Sequence, residues 1–131
     1  MKKILIVEDE PILHIVYRQL LSNELSLHDV EVLSAYDFDE AVTSLSQDEE
    51  KEQTSLCVIL DLDLGDGHNG WEILNGSYLA GYKRVLVFIC SSSGSLADQE
   101  RALEYPQVIG YFQKPIQQHF ARIIASKFVA S

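Results

Sequence analysis

The chain has 131 residues, of which 47% are hydrophobic and 23% are charged, a balance typical of one globular domain with its own core. Ten basic residues against 20 acidic ones give a net charge of -10, so the chain as a whole would repel nucleic acid and anionic lipid. No apolar stretch approaches the roughly 20 residues of a membrane span, and the lysines at positions 2 and 3 lead into a short strand instead of a signal-peptide core. We expect residues 1–131 to form a single cytoplasmic domain without direct nucleic-acid or membrane binding.

Short apolar runs alternate with longer segments of helical period, which predicts parallel strands joined by helical crossovers. The predicted strands are Lys3–Val7, Val30–Ala35, Leu56–Leu60, Arg84–Cys90 and Val108–Gln113. The third is apolar on both faces, as expected of a strand covered by helices on each side. Cys57 and Cys90 fall within these runs, where cysteine usually behaves as a small buried hydrophobe.

One helix is predicted after each of these strands. The predicted ranges are Pro11 to about Glu24, a helix starting at Phe38 after an N-cap at Asp37, Trp71 to about Leu79, Leu96–Tyr105 and Ile116–Val129. In the first helix a mostly apolar stripe at spacings of three and four is formed by Ile12, Ile15, Val16, Gln19 and Leu20, the pattern of an amphipathic helix. The acidic stretch Gln47–Thr54 is interpreted as a solvated loop.

Chemically active side chains collect where the predicted strands end. These residues are Glu8, Asp9 and Glu10 after the first strand, Asp61 after the third, Cys90 to Ser92 at the fourth and Lys114 after the fifth. In open parallel sheets the binding crevice lies at the carboxyl ends of the strands. Gathered carboxylates suit a hard cation such as Mg²⁺, and a nearby lysine suits a phosphoryl oxygen.

In this order and spacing, the residues resemble those of bacterial two-component response regulator receiver domains, over essentially the full length of the chain. The matching segments are Ile4–Glu10, Leu60–Leu64, Ile89–Ser93 and Gly110–Pro115. The resemblance implies a flavodoxin-like, doubly wound α/β fold with a five-stranded parallel sheet of order 2-1-3-4-5 and five helices in three layers.

The resemblance also implies a signalling phosphoacceptor, not an enzyme acting on a separate substrate. Asp61 would attack the phosphorus of a phosphohistidine on a sensor histidine kinase or histidine phosphotransfer protein, and the chain would catalyse its own phosphorylation and slow dephosphorylation. Mg²⁺, with Mn²⁺ as a substitute, would be held by Glu8, Asp9, Asp61 and the backbone carbonyl of Asp63. Lys114 would pair with a phosphoryl oxygen.

The hydroxyl residue of the family has two candidates here. The usual spacing back from Lys114 points to Ser92, whereas alignment of the fourth helix points to Ser91. One extra residue near 105–107 would reconcile the two in favour of Ser91, which we prefer because loops absorb insertions more readily than helices do. Tyr111 matches the aromatic switch residue, whose movement reshapes the face of the fourth helix, fifth strand and fifth helix. A downstream protein target would read that face, and the chain would be a monomer or weak homodimer.

The loop after Asp61 departs from the family pattern. Gly65 stands where proline is usual, and the loop to Gly70 is one residue longer than normal. His68 is interpreted as a plain loop histidine, because Mg²⁺ prefers oxygen ligands. The side chain of Asp63 would face the position from which water attacks the phosphorus, and we expect it to influence the rate of dephosphorylation.

Two other function classes remain open. A receiver-like module that signals by contact without accepting phosphate would have the same fold. The motif Asp61–Gly65 also resembles the first motif of haloacid dehalogenase-type phosphatases, but such a site needs a later lysine and a later acidic pair at another strand end. Asp98 and Glu100, the acidic residues available, fall on a predicted helix.

Overall fold

The computed structural model describes residues 1–26 and 28–129. The strands are β1 (Lys2–Val7), β2 (Glu31–Ala35), β3 (Ser55–Leu60), β4 (Arg84–Ser91) and β5 (Val108–Gln113). The helices are α1 (Pro11–Ser22), α2 (Phe38–Ser46), α3 (Gly70–Asn75), α4 (Leu96–Ala102) and α5 (Gln118–Ile124), which continues as a π-helical turn over Ala125–Val129. None of the helices in these ranges is long and apolar enough to cross a membrane.

All five strands are parallel and lie in the order β2-β1-β3-β4-β5. The predicted flavodoxin-like α/β fold is confirmed. Val7 of β1 pairs with Ala35 of β2 on one side and with Leu60 of β3 on the other. The residues that follow β1 and β3, Glu8 and Asp61, therefore leave the sheet side by side.

The sheet separates two hydrophobic layers. Alternate residues of β3 face each layer, because successive side chains of a strand point to opposite faces. Leu56, Val58 and Leu60 join the layer that includes buried residues of α2 and α3, whereas Cys57 and Ile59 join that of α1 and α5. Cys57 and Cys90 are buried free thiols, as the sequence predicts, and burial raises the pKa of both.

Helix α1 packs through a different face from the one that the aliphatic pattern indicates. Its buried residues are His14, Tyr17 and Leu21, whereas Ile12 and Ile15 of the predicted stripe are 60% and 64% exposed. The prediction of that stripe is wrong as a guide to the core. Polar groups on the sheet side of α1 form hydrogen bonds with His14. These partners belong to other elements, so the spacing of apolar residues along α1 does not predict them.

Several helix ends differ from the predicted ones. Helix α3 ends at Asn75 instead of Leu79, because Gly76 adopts an extended backbone (ψ −179°). Helix α4 ends at Ala102, three residues before the predicted end, and α5 starts at Gln118, two residues after the predicted start. The predicted solvated loop contains a 3-10 turn at Lys51–Gln53. The predicted N-cap is confirmed, since the Asp37 side chain accepts a 2.7 Å hydrogen bond from the backbone N–H of Glu40.

Within the paired stretch, β5 has one residue more than β4, since residues 108–113 lie opposite residues 87–91. Val87 of β4 pairs with Val108, but the next residue, Phe88, pairs with Gly110, which leaves Ile109 as a β-bulge. The register shift places the unpaired residue of this strand pair at Ile109, and the expected insertion near 105–107 stays a prediction. A bulge of this kind involves two strands, so it can be recognised only when the pairing of both strands is known.

Candidate functional site

Glu8 and Asp61 are fixed at the carboxyl edge of the sheet by backbone hydrogen bonds. The Glu8 N–H donates to Ala35 O at 3.1 Å, and the Asp61 N–H donates to Val7 O at 2.9 Å. Both side chains are nearly buried, with 1% exposure for Glu8 and 5% for Asp61. The backbone hydrogen bonds of the sheet therefore extend one residue beyond β1 and β3. They hold the two carboxylates close to the surface but largely shielded from solvent.

Lys114 joins these two carboxylates. Its backbone N–H donates to Ser91 O at 2.8 Å, which fixes the start of the β5–α5 loop, and the Lys114–Pro115 peptide bond is cis. Its Nζ lies 2.7 Å from Glu8 Oε1 and 3.1 Å from Asp61 Oδ2. One ammonium group thus neutralises part of the charge of two neighbouring carboxylates.

Burial and pairing act in opposite directions on the pKa values of this cluster. Burial raises the pKa of Glu8, although the Lys114 ammonium and the Glu10 N–H both lower it. Burial alone would lower the pKa of Lys114, but its contacts with Glu8 and Asp61 outweigh that effect and raise it. Lys114 therefore carries its charge at neutral pH, whereas the pKa of Glu8 stays raised because burial outweighs the positive charge beside it.

The donor set of this edge fits a hard divalent cation. Carboxylate oxygens of Glu8, Asp9 and Glu10 lie within 4.8 Å of one another. Glu8 Oε2 accepts a 3.1 Å hydrogen bond from the Glu10 N–H, whereas the buried Glu8 Oε1 has the Lys114 ammonium 2.7 Å away. Carboxylate oxygens are the ligands that Mg²⁺ prefers, and it commonly keeps several waters beside one or two carboxylates.

The loop between β3 and α3 shapes the approach to Asp61. Asp61 Oδ1 accepts from the Asp63 N–H, and Asp63 Oδ1 accepts from the Gly65 N–H, each at 3.2 Å. Gly65, Asp66 and Gly67 have φ values of +71°, +50° and +77°. Proline is locked near −65° and cannot occupy such a position, which explains why glycine replaces it at position 65.

The same loop is fixed at its far end by α3. Asn69 and Glu72 form a reciprocal capping box, which satisfies free backbone donors at a helix start. A Cβ on Gly70 would lie 2.5 Å from the carbonyl oxygen of Asp61. Helix α3 can begin directly beside Asp61 because position 70 has no side chain.

His68 anchors the enlarged loop to two helices. Its Nδ1 lies 2.9 Å from Glu72 Oε2, and its ring stacks on Phe38 of α2 with centroids 4.3 Å apart. The hydrogen bond to Glu72 raises the pKa of His68. These contacts give His68 a structural partner set in the loop, in line with its interpretation as an ordinary loop histidine.

Ser91 and Ser92 have different environments. Ser91 is the last residue of β4 and only 4% exposed, whereas Ser92 is exposed in the following loop. Ser91 Oγ accepts a 3.1 Å hydrogen bond from the Ser93 N–H. The hydroxyl of the half-buried Tyr111 donates to Ser93 O at 2.8 Å, so the predicted switch residue and the predicted hydroxyl residue contact the same loop residue.

The sequence interpretation missed His14. It is 2% exposed on α1, and its Nε2 lies 2.7 Å from the carbonyl oxygen of Glu8. Burial lowers the pKa of His14, so the ring is neutral at physiological pH. A histidine next to an aliphatic stripe gives one weak signal in sequence, namely that it shares the spacing of three and four with Tyr17 and Leu21.

Three solved structures illustrate the fold that this chain shares with known proteins. The phosphorylated cyanobacterial phytochrome response regulator RcpA is 25% identical, with a TM-score of 0.76, and the match covers 98% of this chain and 94% of that one. The Mn²⁺-bound response regulator Rcp1 is 24% identical, with a TM-score of 0.76 and coverage of 100% and 96%. The receiver domain of sensor histidine kinase PA1611 from Pseudomonas aeruginosa PAO1, with magnesium in its active site cleft, is 19% identical, with a TM-score of 0.67 and coverage of 98% and 98%.

Among curated proteins, none matches this sequence significantly. The family model described as the response regulator receiver domain matches residues 4–125. That range includes every strand end described above, from the acidic turn after β1 to Lys114 after β5. The chain therefore belongs to the response regulator receiver domain family, whose members are phosphoacceptors in two-component signalling.

Proposed function

We propose that residues 1–131 act as one receiver unit that accepts a phosphoryl group on Asp61 in a reaction dependent on Mg²⁺, with Mn²⁺ as a substitute. The observation that carries this proposal is the contact of Lys114 Nζ with both Glu8 and Asp61, beside the carboxylate group of Glu8, Asp9 and Glu10. A nucleophilic carboxylate, a fixed ammonium group and oxygen ligands for a divalent cation are the groups that phosphoryl transfer to aspartate needs.

In the proposed reaction an oxygen of Asp61 attacks the phosphorus of the donor. The new oxygen–phosphorus bond forms as the phosphorus–nitrogen bond of a phosphohistidine breaks, and the departing imidazole nitrogen keeps the electron pair and takes up a proton. Asp61 Oδ1 is held by the Asp63 N–H, so the carboxylate has a defined orientation for in-line attack. Lys114 moves its hydrogen bond from Asp61 to a phosphoryl oxygen, since a charge-assisted bond to phosphate replaces the one to the carboxylate.

A bound divalent cation would supply charge neutralisation for the incoming phosphoryl oxygens. We assign its protein ligands to Glu8, Asp9, Asp61 and the backbone carbonyl of Asp63, with Asp9 the more direct of the acidic pair. The side chain of Glu10, which also lies within the carboxylate group, is exposed and adds to the negative potential that attracts the cation.

Ser91 is the hydroxyl residue of this proposal. It ends β4 at the same edge as Asp61 and is nearly buried, whereas Ser92 is exposed. Tyr111 would act as the switch through its hydrogen bond to Ser93 O. A change in the position of Ser91 on phosphorylation would alter the loop that Tyr111 contacts and so change the α4-β5-α5 face.

Exposed apolar side chains support signalling by protein contact. The exposed fraction is 68% for Leu96 at the start of α4, 85% for Leu103 directly after α4 and 42% for Ile109 on β5. These side chains suit contact with the downstream target. Ile12 and Ile15 follow the acidic turn directly on α1 and suit contact with the sensor histidine kinase or phosphotransfer protein that donates the phosphate. A cytoplasmic site of action and a monomer or weak homodimer belong to the same proposal, and the two free cysteines favour a reducing compartment.

The test is incubation of the protein with acetyl phosphate and Mg²⁺, followed by intact mass measurement and peptide mapping. We expect the gain of one phosphoryl group on Asp61, and none when a chelator removes the cation. No gain in mass would favour the phosphorylation-independent interaction module instead. Continuous release of phosphate from a small phosphoester would favour the dehalogenase-type phosphatase.

A further inference from the structure

His14 is a buried polar side chain for which the proposed reaction has no role. It lies on the sheet-facing side of α1 and is 2% exposed. Its Nε2 is 2.7 Å from Glu8 O, its Nδ1 is 2.9 Å from Ser34 Oγ, and its ring lies against Tyr36 with centroids 4.1 Å apart. A buried imidazole with both nitrogens paired is held in one orientation.

The partners of His14 determine the direction of each hydrogen bond. A carbonyl oxygen only accepts, so the proton of the ring is on Nε2 and points to Glu8 O. Arg18 Nη2 donates to Ser34 Oγ at 3.0 Å and to Val32 O at 3.1 Å. The Ser34 oxygen already accepts from a guanidinium group, and its own proton is free to be donated to His14 Nδ1. The result is a directed chain from Arg18 through Ser34 and His14 to the backbone of Glu8.

The backbone of Glu8 has few other constraints on this side. Its N–H is held by Ala35 O, but the chain then leaves the sheet, and Glu10, the N-cap residue of α1, makes no side-chain capping bond. The hydrogen bond from His14 to Glu8 O therefore fixes the peptide unit that joins Glu8 to Asp9. A change in ψ of Glu8 or in φ of Asp9 that turned this carbonyl away from His14 would alter the path of the chain between the two residues and so move one carboxylate relative to the other.

We propose that His14 is a positioning residue that orients the Glu8–Asp9 peptide and thereby presents both carboxylates to the divalent cation. This inference rests on the proposed function, since it requires a cation at that turn. Outer partners of this kind typically change metal affinity by about 10- to 100-fold when they are removed. His14 acts through Glu8 and does not contact the cation itself.

The experiment measures Mn²⁺ affinity from the EPR signal of the free ion, in four forms of the full chain. His14→Leu removes the donor but keeps apolar volume, and we expect it to weaken Mn²⁺ binding by about tenfold or more. His14→Gln keeps an N–H donor of similar reach and should bind within about threefold of the wild type. Leu21→Ala, a buried α1 residue without a contact to Glu8, should lower the melting temperature while leaving Mn²⁺ affinity unchanged.

A second measurement covers the case in which His14→Leu does not fold. Ser34→Ala removes the donor to Nδ1, so the imidazole nitrogen-15 shifts should change from the Nε2–H tautomer to a mixture, and Mn²⁺ binding should weaken by a few-fold. Failure of the wild type to bind Mn²⁺ would refute the proposed cation site and this inference together. Binding that is equal in wild type, His14→Leu and Ser34→Ala would refute the inference alone. Equal weakening in His14→Leu, His14→Gln and Leu21→Ala would show a purely structural role.

Discussion

Two lysines of this chain lie at opposite edges of the sheet, and each contacts two carboxylates. The two clusters differ in the hydrogen-bond donors that surround these carboxylates. At the amino edge, Lys3 Nζ lies 3.2 Å from Asp48 Oδ1 and 3.9 Å from Glu50 Oε1. At the carboxyl edge, Lys114 Nζ lies 2.7 Å from Glu8 Oε1 and 3.1 Å from Asp61 Oδ2. Charge composition alone does not distinguish them.

At the amino edge, the Asp48 carboxylate accepts hydrogen bonds from three donors. Asp48 accepts from the Glu50 N–H and from the Tyr82 hydroxyl, each at 2.9 Å, in addition to Lys3. Burial raises the pKa of Asp48, but these three donors outweigh it and lower the pKa overall. For Glu8 the balance has the opposite sign, because burial outweighs its donors and raises the pKa. The two clusters therefore share a lysine and two carboxylates but differ in whether the donors or the burial of the carboxyl group dominates its pKa.

The largest expected difference between the edges is in covalent chemistry. Asp61→Asn should reduce phosphoryl incorporation from acetyl phosphate to background, because an amide lacks the nucleophilic carboxylate oxygen. Asp48→Asn, the matched change at the amino edge, should still gain one phosphoryl group. Intact mass measurement of both variants checks this, and incorporation by Asp61→Asn at the wild-type rate would remove Asp61 as the acceptor.

Removal of each lysine gives the next largest contrast. Lys114→Met should slow phosphorylation by about 10- to 100-fold, since a charge-assisted hydrogen bond to the phosphoryl group is worth roughly 1.5–3 kcal/mol. Its Mn²⁺ affinity should not fall, because a competing positive charge has been removed. Lys3→Met should leave both quantities within about twofold of the wild type. Stopped-flow phosphorylation assays would contradict the comparison if the two variants behaved alike.

The stability of the two edges should depend on pH differently. A carboxyl group whose pKa is lowered in the folded state stabilises it above the unfolded pKa and loses this effect as the pH falls through the folded value. For Asp48 the loss begins near 3.8 and continues below it. Asp48→Asn should therefore lower the free energy of unfolding by about 1–2 kcal/mol at pH 6, and the difference should shrink at pH 3. Urea unfolding at both pH values tests this; an equal difference at each would contradict it.

The smallest expected effect concerns the loop after the acceptor. Asp63→Asn preserves the oxygen that accepts from the Gly65 N–H, so the loop conformation should not change. It removes one negative charge at the site mouth, and we expect the rate of autodephosphorylation to change by about twofold or more. An unchanged decay of the phosphorylated protein would exclude Asp63 from that step.

Local pattern was sufficient to predict that Glu8, Asp61 and Lys114 share one edge of the sheet but insufficient to predict the second layer of contacts around them. Glu8, Asp61 and Lys114 each follow an apolar run directly, and parallel strands bring such positions to one edge. His14 was missed because its importance comes from Glu8 O and Ser34, which belong to other elements. The stripe of Ile12, Ile15 and Val16 was misread for the same reason.

The difference between Ser91 and Ser92 shows the same limit. Spacing along the chain points to Ser92, and it does not reveal the bulge at Ile109 that lies between β4 and Lys114; Ser91 as the hydroxyl residue stays a prediction. Tertiary context also determined the ends of α3 and α4. For α3, the sequence allowed Gly76 to be either a weak position inside the helix or the residue that ends it.

The amino-acid sequence by itself determined the alternation of strands and helices, the parallel sheet and the position of the acidic turn, Asp61 and Lys114 at strand ends. These follow from local hydrophobicity and from the geometry common to all parallel sheets. Only the tertiary structure decided which face of α1 is buried, where β5 bulges and in which lysine–carboxylate cluster burial outweighs the donors. Those outcomes depend on hydrogen bonds between residues far apart in the chain, whose partners no local pattern specifies.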